Sequence, residues 1–180
     1  YTVKPGQNLV FIRQDLLKGD PGLLLCTGLV HRVNRLGKYL REGQKLRIPT
    51  EHANVVVDLD SRLLMYRHGT EIVQAWEVGI GKEGHDTPIG EYVVGDKQEE
   101  PSWMPVGGPS LPFGHTDNPL GTRWIAWYVD GNKTSFGFHG TWDEAGVGGR
   151  VSLGCVRMRN ADVEKLFEIL PRDAKVLVQP

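Results

Sequence analysis

Only two cysteines, Cys26 and Cys155, occur in 180 residues. That is too few for a framework of disulfide staples, so stability has to come from packing, and both thiols are expected free. No apolar run approaches the roughly 20 residues that cross a bilayer, which excludes a membrane-spanning helix. Charge of one sign is also missing: 21 Lys and Arg stand against 22 Asp and Glu, a formal net charge of -1. Without a basic excess there is no polyanion-binding signature, and nucleic acid is not expected as a partner. A signal peptide is absent too, but a start at Tyr1 without methionine reads as a trimmed or mature fragment, so the cytoplasm is not implied. What remains is an ordinary globular balance, 39% hydrophobic and 24% charged, with room for one medium domain and a small one.

Chemistry concentrates in one stretch. Phe138 to Met158 reads F-H-G-T-W-D-E-A-G-V-G-G-R-V-S-L-G-C-V-R-M. A free thiol has a pKa of about 8.5 and is a weak nucleophile at neutral pH, so catalytic use needs a base or a positive field beside it. His139 is the candidate base and Arg157 the candidate field. Gly154 permits a sharp turn into Cys155 that can aim successive backbone N–H groups at an oxyanion. The competing reading makes Cys155 a small buried hydrophobe and His139 a packed side chain, yet no core requires G-V-G-G-R-V-S-L-G. A metal site built from His115, His139 and Cys155 is the other alternative, but the spacings match no zinc template.

H-G-T followed, across a Gly-rich loop, by S-x-G-C-V-R-M resembles the catalytic signature of the L,D-transpeptidases, the YkuD-like domain of bacterial cell walls. The resemblance covers about residues 54 to 180, including V-G-I-G-K-E-G-H-D-T-P-I-G-E-Y upstream, where Gly79, Gly81, Pro88 and Gly90 read as architectural turns. It implies acyl exchange at an L,D peptide bond of peptidoglycan. Cys155 would be the nucleophile, His139 the general base, and Gly154 with Cys155 the backbone oxyanion donors. Ser152 would orient either the imidazole or the cysteine turn. Arg157 would hold a carboxylate of the peptide stem, lower the thiol pKa, or brace the loop. Gly140 would relieve crowding beside the base, and His115 would belong to the substrate pocket. Leu153 stands where some branches carry histidine and receives no role. No cofactor or metal is implied; carbapenems would acylate Cys155, and the location would be the periplasm or cell envelope. An L,D-carboxypeptidase is the same chemistry with water as acceptor. A wall-binding protein with a decayed catalytic domain is the competing class, and the presence of both Cys155 and His139 weighs against it.

Residues 1–49 read as a separate unit, followed by a linker at 50–54 and a catalytic domain at 55–180. Tyr1 to Val3 and Lys45 to Ile48 read as strands. Asn8 is placed to cap a helix carrying Leu9, Ile12 and Leu16 to Gly19, and Asp20-Pro21 opens a second helix to about Val33. On that helix Cys26, Leu29, Val30 and Val33 share a face, making Cys26 a core residue. The β-α-α-β order, with Y-T-V-K-P-G and G-Q-K-L-R-I-P at its ends, resembles a LysM module and implies binding to N-acetylglucosamine-containing glycan. The alternative is a helical cap that only packs on the catalytic domain.

Strands are expected from Val55 through the turn at Asp60-Ser61, then at 71–78, 91–94, 124–129, 135–138 and 174–178. The fold class is therefore mainly β, a sandwich of mixed sheets. One helix near the C-terminus is capped by Asn160 and striped with Val163, Leu166, Phe167 and Leu170 up to Pro171. Between Asp96 and Arg123 lies a long Pro- and Gly-rich segment that reads as a wall or lid, with Trp103 among the aromatic rings that either stack on substrate or fold into the core.

Overall fold

The computed structural model describes residues 1–180. Ten strands and three α-helices form: β1 (Ala53–Asp58), β2 (Leu63–His68), β3 (Glu71–Glu77), β4 (Ile80–Gly81), β5 (Gly90–Glu99), β6 (Arg123–Val129), β7 (Asn132–His139), β8 (Arg150–Ser152), β9 (Val156–Arg157) and β10 (Lys175–Gln179), with α1 (Leu9–Gly19), α2 (Thr27–Val33) and α3 (Asn160–Ile169). One mixed eight-stranded sheet runs in the order β3-β2-β1-β10-β5-β6-β7-β9, and β4 pairs with β8 in a two-stranded sheet. The parallel pairs in the large sheet are β1 with β10 and β7 with β9.

Two separate cores divide the chain. The larger gathers Val55, Val57, Leu64, Trp127, Phe138, Val156 and Met158 from the sheet with Val163, Leu166 and Ile169 of α3. The smaller consists of Val3, Ile12, Leu25, Val30, Leu36 and Leu46, all from the first 49 residues. The same segment also sends Leu29 into the larger core, with Cys26 packed against it. Its terminal segments meet in a single antiparallel bridge, Thr2 with Lys45, rather than in full strands.

Local chemistry explains the departures from the expected elements. Asn8 caps α1 as its residue type requires, its side chain accepting from Phe11 N–H at 3.0 Å. The second helix begins at Thr27, not at Asp20-Pro21. Asp20 Oδ1 instead accepts from Gly22 N–H at 3.1 Å, and an Asp-Pro-Gly sequence is satisfied by that turn before a helix can nucleate. Cys26 consequently lies at the N-cap of α2 and not on its buried face. It is half-buried and donates its S–H to the carbonyl of Glu168 in α3. β5 extends five residues beyond its expected end, reaching Glu99. At α3, Asn160 is the first helical residue and Arg159 the N-cap, with no side-chain cap bond.

The two units meet where α2 crosses the C-terminal end of α3. A Cβ added at Gly28 would overlap the backbone carbonyl of Glu168, a group that cannot move aside as a side-chain tip can. Gly28→Ala is therefore expected to destabilise the chain by about 1–3 kcal/mol through overpacking and to speed proteolysis of the 50–54 connection. Denaturant melts with timed trypsin digestion check this, and an unchanged midpoint with unchanged cleavage would show that the seam contributes nothing.

Candidate active site

β6, β7 and β9 place the chemistry-bearing side chains by register. Trp124 pairs with His139 and Ile125 with Phe138. Phe138 pairs in turn with Val156, and His139 with Arg157. Successive side chains of a strand point to opposite faces. Ile125, Phe138 and Val156 are fully buried in the core, so Trp124, His139 and Arg157 share the other face. The Trp124 and His139 rings lie 6.1 Å apart. A Cβ on Gly137 would sit 2.9 Å from the Trp124 indole, so the glycine leaves the space that the ring occupies. On its other side β9 is held by Gly79, which exchanges two backbone bonds of 2.8 Å with Arg157.

Cys155 enters from a tight turn. Ser152 is buried; its hydroxyl donates to the carbonyl of Cys155 at 2.6 Å and accepts from Gly154 N–H at 3.1 Å. Of the two roles open to Ser152, the contacts select the cysteine turn over the imidazole. Gly154 is required twice: its φ of +113° lies in the left-handed region, and a Cβ there would come within 2.6 Å of the Phe136 ring. Because Ser152 occupies the Gly154 N–H, that group is not free for an oxyanion. The expected pair of donors from Gly154 and Cys155 reduces to the N–H of Cys155 itself.

His139 is only 3% exposed. Its Nδ1 lies 2.6 Å from the carbonyl oxygen of Gly140. A carbonyl can only accept, so Nδ1 carries the proton and Nε2 is left with the lone pair, the form in which an imidazole can act as a base. Burial pushes its pKa down to about 4, with the Gly140 bond opposing and the Arg157 charge adding to the drop. Burial also pushes the Cys155 thiol up to about 11, against smaller opposite pulls from the Gly137 backbone and Arg157. The positive field expected of Arg157 is real but loses to desolvation, and the resting pair is neutral thiol and neutral imidazole. Arg157 Nε is buried without a hydrogen-bond partner.

Between β5 and β6 the chain is held by its own hydrogen bonds. Trp103 and Leu111 bond to each other through their backbones at 2.8 and 2.7 Å, closing a small hairpin. Buried Asn118 donates to the carbonyls of Pro101, Leu111 and Pro112 at 2.9–3.3 Å and accepts from Leu120 N–H at 3.0 Å. Phe113 stacks on Trp142 at 5.7 Å, tying this segment to the residues after His139. Trp103 is half-buried in its hairpin. His115 is exposed, and its ring accepts from Asp117 N–H at 3.1 Å; its recorded bonds are to its own turn and do not join it to Cys155 and His139. No group of three or more His, Cys, Asp or Glu is arranged to hold a metal. Trp142 and Asn118 are passed over by sequence reading, which takes Trp124 only as the start of a strand. Trp142 follows H-G-T directly and is 53% exposed, whereas the place of Trp124 opposite His139 comes only from the register.

The model of the YkuD L,D-transpeptidase catalytic domain matches residues 52–178, and the chain belongs to that family. It is 31% identical to the protein named L,D-transpeptidase YkuD in Bacillus licheniformis, over all of this chain and 98% of that one. With Escherichia coli YbiS, also named an L,D-transpeptidase, it shares 36% identity over 78% of its length, but spans only 49% of the relative. Among solved structures, an Enterococcus faecium L,D-transpeptidase superposes with a TM-score of 0.57 at 20% identity, covering 78% of this chain and 55% of the other. The L,D-transpeptidase LdtMt1, solved in complex with imipenem, gives 0.56 at 18% identity, covering 72% of this chain and 59% of the other. The likeness of fold extends across the mainly β catalytic domain with its curled mixed sheet.

His139 also links stability to pH. Its value falls from 6.5 in the unfolded chain to about 4 in the fold. Between those values the unfolded chain takes up a proton that the folded one refuses. Its contribution is therefore whole above pH 6.5 and shrinks by about 3 kcal/mol on descending to pH 4. Urea unfolding of the wild type and His139→Gln at pH 7 and pH 4 checks this: the variant should lose about 3 kcal/mol less over that interval.

Proposed function

We propose that this chain transfers acyl groups from peptidoglycan tetrapeptide stems through a thioester on Cys155. The observation that carries the reading is the β7–β9 register, which sets a buried His139, with Nε2 unprotonated, on the strand beside the cysteine turn. Cys155 Sγ attacks the carbonyl of the third, diamino residue while His139 Nε2 takes the thiol proton. Because both groups rest neutral, the proton moves as the S–C bond forms, and no thiolate is stored beforehand. The Cys155 N–H bonds the developing oxyanion, a contact whose loss typically costs about 3 kcal/mol of transition-state stabilisation. As the C–N bond breaks, His139 returns its proton to the departing D-alanine. The acceptor amine then gives a proton to His139 and attacks the thioester carbonyl, and as the C–S bond breaks His139 passes that proton to Cys155 Sγ, restoring the neutral pair. Arg157, on the same face as His139, binds a carboxylate of the stem through its guanidinium.

The first 49 residues would hold the glycan. A groove of about 860 Å3 lies between the start of α1 and the segment after α2, lined by Gln7, Val10, Arg32, Lys38 and Tyr39 among others. Tyr39 is 78% exposed, an aromatic face of the kind that stacks on sugar rings. A wall-bound substrate places the protein in the cell envelope, on the extracytoplasmic side. Carbapenems fit the same site, since a strained lactam carbonyl meets the same sulfur and N–H. The solved structure of LdtMt1, similar in fold, carries imipenem, which supports that extension.

Incubation with a disaccharide tetrapeptide, read by mass spectrometry, tests the reaction. A dimer lacking one D-alanine is expected from the wild type and none from Cys155→Ala. Tripeptide monomer alone would make water the acceptor and the chain an L,D-carboxypeptidase; no product from the wild type would refute the catalytic reading. A second test is intact mass after imipenem treatment: one adduct is expected on the wild type and none on Cys155→Ala.

A further inference from the structure

An asparagine at the start of a helix normally turns its side chain back to cap the next N–H groups. Asn160 does not. Its amide leaves α3 and bridges two other segments: Oδ1 accepts from Thr122 N–H at 3.0 Å, and Nδ2 donates to the carbonyl of Thr141 at 2.9 Å. Those groups belong to the residue that precedes β6 and the second residue after β7. Gly121 and Gly140 both lie so close that an added Cβ would overlap Asn160 Oδ1. The peptide held between them is that of Gly140, whose N–H donates to Arg123 at 3.1 Å and whose carbonyl receives the His139 Nδ1 proton. The asparagine is anchored by a helix whose Val163, Leu166 and Ile169 are buried in the main core.

We propose that Asn160 is a positioning residue for the general base: by bonding Thr141, which follows Gly140, and Thr122, which precedes the Arg123 that accepts from Gly140 N–H, it fixes the carbonyl that selects the His139 tautomer. The inference rests on the reading of His139 as the base. If the Gly140 peptide turns, the buried Nδ1 proton loses its acceptor. The imidazole then shifts toward the form with the proton on Nε2, which cannot accept one from Cys155. α3 forgoes a side-chain cap at its N-terminus, and the amide spent elsewhere holds the loop on which the base depends.

The test uses the full chain with 15N-labelled histidine, the His139 signals being assigned by their loss in His139→Gln. In the wild type the imidazole nitrogens should report a proton on Nδ1. Asn160→Ala is expected to move the population toward Nε2–H and to lower kcat by about tenfold to a hundredfold with little change in KM, the cost of a misplaced catalytic group. Asn160→Asp keeps an acceptor for Thr122 but no donor for Thr141, and should fall between. If Asn160→Ala fails to fold, Asn160→Asp carries both readouts. An unchanged tautomer and kcat, with only a lower melting temperature, would overturn the proposal and leave Asn160 a structural clamp. The nitrogen spectrum needs no turnover. A wild type without transpeptidase activity whose tautomer still shifts on substitution would sink the reaction and spare the positioning, whereas an active wild type whose tautomer stays put would do the reverse.

Discussion

Two residue pairs on parallel strands hold this molecule's chemistry together. Phe138 against Val156 and His139 against Arg157 are the whole of the β7–β9 register, and they join segments separated by a Gly-rich crossover. The first pair is fully buried, and each such side chain contributes about 1.5–3 kcal/mol by leaving water. Burial of one pair thus fixes the orientation of the other, because a one-residue slip would turn Phe138 into the cleft and His139 into the core. The Ser152 turn, the Gly79 bonds on the far side of β9 and the amide of Asn160 all act on this short ladder.

Electrostatics in the cleft follow from the same burial. Desolvation acts on both reacting groups in the direction of neutrality, down for the imidazole and up for the thiol. Arg157 pulls each one the same way, lowering both, and on the thiol it is too weak to reverse the outcome. Preorganisation here means fixed hydrogen-bond direction, supplied by the Gly140 carbonyl, rather than a stored ion pair.

Much of this was legible in the residues themselves. The Cys155, His139 and Gly154 constellation, the strands around it and the stripe of α3 follow from spacing, alternation and turn chemistry, because each is a local consequence of residue type. What escaped depends on partners distant in sequence. Asn160 reads as a cap until Thr122 and Thr141 are brought beside it. Gly154 reads as an oxyanion donor until Ser152 is seen to occupy its N–H. Trp124 reads as the first residue of a strand, but its place opposite His139 comes only from the register. Asp20-Pro21 misled for a different reason: two local rules competed there, and turn formation with Gly22 prevailed over helix initiation.

A protonated resting nucleophile also bears on chemical survival. Peroxides attack thiolate sulfur, and the fraction of thiolate sets how fast a cysteine climbs to sulfenic and then irreversible acids. Cys155, held near 11 by burial, presents almost none at neutral pH while the cleft is empty. Neither does it have a resolving partner, since Cys26 belongs to the seam between α2 and α3. On the proposed mechanism, the same desolvation that holds Cys155 as a thiol until substrate arrives also keeps its sulfur in the reduced form.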